Sequence, residues 1–126
     1  MNITLWVLQV LLAAAFLAHG WLFLLPPADM VELMNATISP AFRVFLGGAE
    51  VLAAVGLTLP GITRVLPWLV PSAAAGLMIV MIGATVLHAM RAEISSAITT
   101  AILLAMATFV AYMRWKVRPI LPRGVA

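Results

Sequence analysis

Four long apolar runs constrain this chain more than any other feature. They cover about residues 3–25, 41–59, 65–88 and 96–113. Each is close to the ~20 residues that a helix rising 1.5 Å per residue needs to cross a ~30 Å hydrocarbon layer. A spanning segment has no water to pair its backbone, and an α-helix satisfies its own N–H and C=O groups. The expected fold is therefore all-α: an integral membrane four-helix bundle, one transmembrane domain over residues 1–126. The composition agrees. The chain is 65% hydrophobic and 9% charged, against roughly 45–50% and 25% in soluble domains. A water-soluble fold could not cover that much apolar surface with polar groups.

The runs are punctuated by Pro26-Pro27, by Pro60-Gly61 and by a basic tail. Residues 26–40 form the longest connection. Asp29 followed by Glu32 reads as a capping-box-like start for a short interfacial helix over residues 30–35. The other connections are tight, which favours antiparallel neighbours. Four spans put both termini and the 60–64 turn on one side, together with Arg64, Arg114, Lys116, Arg118 and Arg123. The opposite side has only Arg43 and Arg91. The excess of basic residues is retained in the cytoplasm, so the expected orientation is N-in/C-in, in a bacterial inner (cell) membrane. The tail cations read as juxtamembrane anchors. Trp6, Trp68, Tyr112 and Trp115 fall near the inner interface and Trp21 near the outer one.

The net charge of +3 comes from few charges and carries no signature of nucleic-acid binding. The chain has no cysteine, which excludes thiol redox chemistry, disulfides, thiolate-ligated clusters and thioether-linked haem. No Glu-x-x-His pair occurs and carboxylates are few, so no metal site is expected. His19 and His88 lie on different spans at different depths, which argues against their ligating haem b between them. The half of the bundle below Glu50 is almost wholly apolar, which gives little support to a channel.

Glu50 is the residue most in need of an explanation. It lies nine residues into span two, about 13–14 Å from the outer edge, and His19 lies about 9 Å from the same edge on span one. Helical side chains lean toward their own N-terminus, so the two converge if spans one and two face each other. An ionised carboxylate at this depth costs roughly 2.5–3.5 kcal/mol, and it must be paired or protonated. Arg43 shares a helix face with Glu50, but its long side chain is expected to snorkel outward to water. Met78, Met81, Thr85 and His88 share a face of span three. Together these residues describe an outer-facing polar pocket floored by Glu50. The candidate ligand-binding or proton-exchanging residues are Glu50, His19, His88 and Arg43. Gly47, Gly48, Gly76 and Gly83 are expected to let helices pack closely.

The stretch Gly47-Gly48-Ala49-Glu50, then Gly56-Leu57, Leu59-Pro60 and Thr63-Arg64, resembles the second span and following turn of the DoxX-like family. Ala84 to His88 followed by Arg91-Ala92-Glu93 is similar to that family's third-span ending. The likeness runs over roughly positions 5 to 115. It implies a four-helix membrane protein. One relative is a subunit of a thiosulfate:quinone oxidoreductase, others are partners in oxidoreductase complexes, and distant ones assist membrane-protein assembly. The family's glutamate maps onto Glu50 and its histidine onto His88. Span one departs from many relatives, which carry a cation near its outer end where this chain reads Ala18-His19-Gly20-Trp21.

Two functions are expected from these readings. In the first, the chain is a subunit of, or accessory to, a membrane redox system and binds a quinone-like or other small lipophilic molecule, with electrons supplied by a membrane or redox partner. In the second, it is a non-enzymatic scaffold or assembly chaperone for another membrane protein. Its glycine and alanine faces also permit a homo-oligomer.

Overall fold

The computed structural model describes residues 2–124. Its elements in chain order are α1 (Asn2–Leu24), α2 (Ala28–Thr37), α3 (Pro40–Thr63), α4 (Leu69–Met90) and α5 (Ile94–Tyr112), which runs into a π-helical turn over Met113–Val117. No strand forms among the described residues. Four helices, with the last counted through Val117, are long and apolar enough to cross a membrane. α1 packs chiefly on α3, α4 packs chiefly on α5, and α3 joins the two pairs through α4.

Most side chains on the spans face outward and are apolar, among them Leu11, Leu17, Phe45, Leu52, Ile79, Ile82 and Ile102. In water that surface would be untenable; in lipid it is the solvent-facing side. The core between the helices is lined by Leu12, Phe16, Ala54, Leu57, Ala74, Leu77, Met81 and Val110. Small residues set the closest crossings. A Cβ added at Gly20 would lie 2.8 Å from the Gly47 carbonyl oxygen, and one at Gly56 would lie 2.9 Å from Ala73 Cβ. The first crossing brings α1 and α3 backbone to backbone, which only glycine on both sides allows. By contrast, a Cβ at Gly48, Gly76 or Gly83 would meet nothing within 4 Å. Close packing was expected of all four glycines, but only Gly47 faces a neighbouring helix. At about 100° per residue, Gly48 is turned away from it.

The boundaries differ most from the sequence reading around the α3–α4 turn. α3 continues through Pro60 to Thr63 rather than stopping before it. Residues 64–68 form the turn, with Arg64 and Leu66 at positive φ, so α4 begins at Leu69 rather than Val65. α4 then takes Pro71 in its first turn, where the missing N–H has no helical acceptor anyway. The interfacial helix does form, but Pro27 occupies its N-cap and no side chain caps it. Asp29 instead sits in the first turn, where a negative charge complements the helix dipole. α3 has the better start: Ser39 accepts a hydrogen bond from the Phe42 N–H at 3.3 Å, with Pro40 as the first helical residue.

Candidate functional site

α1 and α3 lie antiparallel, with Trp6 against Gly61, Gln9 against Leu57, Gly20 against Gly47 and His19 against Glu50. The Gly20–Gly47 crossing decides the site. It draws the backbones together within one turn of Glu50, and Glu50 Cβ itself lies 3.2 Å from where a Gly20 Cβ would sit. Glu50 is thereby 2% exposed. Its Oε2 is hydrogen-bonded to His19 Nδ1 at 2.6 Å. The convergence expected from depth and side-chain lean is what the helices produce.

The His19 imidazole is not enclosed. Its side chain is 48% exposed, at the edge of the buried face of α1 formed by Leu5, Gln9, Leu12, Ala13, Phe16 and Gly20. It leans on the Phe23 ring, with centroids 4.3 Å apart. Nδ1 is taken by Glu50, and among the described residues Nε2 has no hydrogen-bond partner. The pair thus runs from a buried carboxylate to an imidazole edge that faces out of the bundle.

Arg43 departs from the outward snorkelling expected of it. It is 8% exposed and donates from an Nη to the carbonyl oxygen of Phe23. The cause lies in the sequence of α1. The Phe23 carbonyl would normally accept from the N–H four residues on, but that residue is Pro27, which has none. An unpaired carbonyl is costly away from water, and Arg43, one helical turn before Gly47, reaches it across the close crossing. The guanidinium also places a positive charge at the negative end of the α1 dipole. Its Nε is buried without a partner among the described residues.

His88 belongs to a different part of the molecule. Its Nδ1 is hydrogen-bonded to Glu93 Oε2 at 2.5 Å across the end of α4. Thr85, one turn earlier, donates to Thr100 Oγ1 at 2.9 Å, so this face of α4 is turned toward α5. The structure joins His19 to Glu50, sets Arg43 about two helical turns away on the Phe23 carbonyl, and places His88 on the α4–α5 hairpin. Arg91, beside it, donates to the Thr37 carbonyl at 3.2 Å and ties down the end of α2.

At the opposite end of the bundle lies a second polar cluster. Gln9 is fully buried and donates to the Leu57 carbonyl at 2.7 Å. Arg114, 3% exposed, donates from Nε to Gln9 Oε1 at 2.6 Å and from one Nη to Asn2 Oδ1 at 2.7 Å. Its guanidinium lies 5.3 Å from the Trp6 ring centroid. The structure corrects the reading of Arg114 as one more exposed anchor in a basic tail. The available signals were an amide in mid-span, Gln9, and a tryptophan one turn before it on the same face. No group of three or more His, Asp or Glu side chains that could hold a metal forms among the described residues.

A family model for the DoxX-like family matches residues 7–110. No curated protein and no solved structure matches the chain.

Proposed function

The chain belongs to the DoxX-like family, and on that premise we propose that it is a membrane subunit of, or accessory to, a redox system, binding a quinone-like or similarly small lipophilic molecule at the His19–Glu50 pair. One observation supports this most: a 2%-exposed carboxylate is joined at 2.6 Å to an imidazole that is half exposed. A proton held inside the bundle is thereby one side chain away from the hydrocarbon phase, where a lipophilic carbonyl compound partitions. The Nε2 edge of His19 is suited to hydrogen-bond a quinone oxygen, and Phe23 offers a ring beside it. Arg43 holds the end of α1 and keeps a positive charge nearby.

The chain's share of the chemistry is binding, orientation and proton exchange between His19 and Glu50. It has no cysteine and no dinucleotide motif, so a partner protein delivers the electrons. In the N-in/C-in orientation, within a bacterial cell membrane, the pair lies in the outer half of the bilayer and His88 with Glu93 near its rim.

A second reading, a scaffold or assembly partner for another membrane protein, is favoured by Gly76 and Gly83. Both are exposed on α4, with open space around them, where a foreign helix could approach closely. Decylubiquinone binding to the purified protein in maltoside micelles separates the two. Glu50→Gln and His19→Gln should each weaken binding at least tenfold while the protein stays folded. If both variants fold and bind as the wild type does, the redox reading is wrong. Loss of a co-purifying membrane protein on Gly76→Leu, with no ligand effect of Glu50→Gln, would establish the scaffold instead.

A further inference from the structure

Arg114, like Arg43, is buried without a carboxylate partner among the described residues, and unlike Arg43 it borders open space. A guanidinium has five N–H donors. The Nε–H is used by Gln9, and one Nη donates to Asn2 Oδ1 and, at 3.1 Å, to the Arg118 carbonyl. All of these acceptors are neutral. Among the described residues the other Nη is buried with no hydrogen-bond partner, and no carboxylate side chain reaches the group. A buried cation held this way is incompletely compensated, and an unmade hydrogen bond to a charged donor is costly.

Arg114 borders two adjoining surface hollows. One, of about 310 Å³, is lined by Asn2, Trp6, Gly61, Arg64, Arg114 and residues 119–121. The other, of about 360 Å³, is lined by Pro67, Trp68, Ser72, Arg114, Trp115 and residues of the same tail. Both volumes fall within the ~300–1,000 Å³ range of small-ligand sites. Residues 119–122 line these hollows, which stay open to the surface. Arg64 donates from Nε to the Leu121 carbonyl at 3.0 Å, and the Arg123 N–H donates back to the Arg64 carbonyl at 2.9 Å.

The charge distribution selects the ligand. Arg64, Arg114, Lys116, Arg118 and Arg123 all lie at this end of the bundle, whereas Asp29, Glu32, Glu50 and Glu93 lie toward the other. The two Trp residues at the cavity mouths, Trp68 and Trp115, are both exposed, as at a membrane–water interface. We propose that this end of the bundle is a binding site for a phosphate group, with Arg114 as its central cation and residues 119–122 along its rim. The proposal is independent of the His19–Glu50 reading. The second Nη is buried in this structure; once the guanidinium turns toward the hollows, a charge-assisted bond to a phosphate oxygen would supply the acceptor it lacks. The phosphate is either that of an anionic lipid headgroup or a free anion.

The test uses the full chain, delipidated in maltoside micelles, with native mass spectrometry counting bound ligand and circular dichroism reporting the fold. One arm titrates a short-chain phosphatidylglycerol, the other inorganic phosphate. Arg114→Lys keeps a charge but loses the planar fork. Ile120→Trp adds bulk at a residue that lines both hollows and makes no hydrogen bond to Arg114, so it decides the matter if Arg114→Lys does not fold. Saturable binding of either ligand, weakened at least tenfold by Arg114→Lys and by Ile120→Trp and unchanged by Arg91→Gln at the opposite end of the bundle, is the expected result, and the arm that binds names the source. No binding in either arm overturns the site. So does binding that Ile120→Trp leaves unchanged, since the basic tail would then be attracting anions only at its surface.

Discussion

Replacing Gly47 by alanine puts a methyl carbon 2.9 Å from the Gly20 carbonyl oxygen and 3.0 Å from both Phe23 Cβ and Leu24 Cγ. The nearest of these atoms is backbone and cannot rotate aside. To recover an ordinary 3.4 Å contact from 2.9 Å, α1 and α3 must part by about 0.5 Å, a gap that already forfeits roughly a quarter of the dispersion attraction along the interface. Overpacking of this kind costs about 1–3 kcal/mol. A glycine-to-alanine change in a helix also brings about 0.5–1 kcal/mol of propensity gain, which obscures the cost in a single mutant. Gly48→Ala removes that ambiguity. It lies on the same helix, one residue on, and its Cβ would meet nothing within 4 Å. The propensity gain is common to both, so the difference between them isolates the crossing.

We expect Gly47→Ala to be less stable than Gly48→Ala by about 1–3 kcal/mol. The measurement is reversible unfolding in mixed maltoside–dodecyl sulfate micelles, followed by circular dichroism. Gly20→Ala should behave like Gly47→Ala, because its Cβ would lie 2.8 Å from the Gly47 oxygen. Equal stabilities for Gly47→Ala and Gly48→Ala would refute the argument that this crossing is what draws the helices together at Glu50.

Three other perturbations test the polar contacts by the same unfolding measurement. Arg43→Met should cost about 1–3 kcal/mol, because the Phe23 carbonyl loses its donor; Phe42→Met next to it, on an exposed position, should change stability by no more than about 0.5 kcal/mol. Gln9→Leu and Arg114→Met should each destabilise, and their combination should cost less than the two added together by about 0.5–3 kcal/mol, as expected of groups in one network; strict additivity would mean that the 2.6 Å Gln9–Arg114 bond contributes nothing. Thr85→Val should cost about 0.6 kcal/mol, the typical value of an interhelical hydrogen bond in a membrane, and Thr100→Val in that background should add little.

The four spans, their helical character and the antiparallel order of neighbours were legible in the residues alone. Each follows from a local rule: length against bilayer thickness, backbone pairing without water, and short connections. The convergence of His19 and Glu50 was legible too, because depth and side-chain lean depend only on position along each helix. Everything that depended on rotation about a helix axis was not. Gly47 and Gly48 are equivalent as sequence, yet one sits under α1 and the other in open space. Arg43 looked like a side chain bound for water until the missing N–H of Pro27 and the close approach of α1 gave it a carbonyl to satisfy. Arg114 was one of four cations in a polar tail until it was found beneath Trp6 and beside Gln9, 105 residues away in sequence. Hydrophobic patterning normally reports helix rotation, since apolar faces turn inward. In this chain the apolar face turns outward to lipid as readily as inward, so that signal is nearly silent, and only the packing of small residues and the pairing of buried polar groups could set which side of each helix faces the bundle.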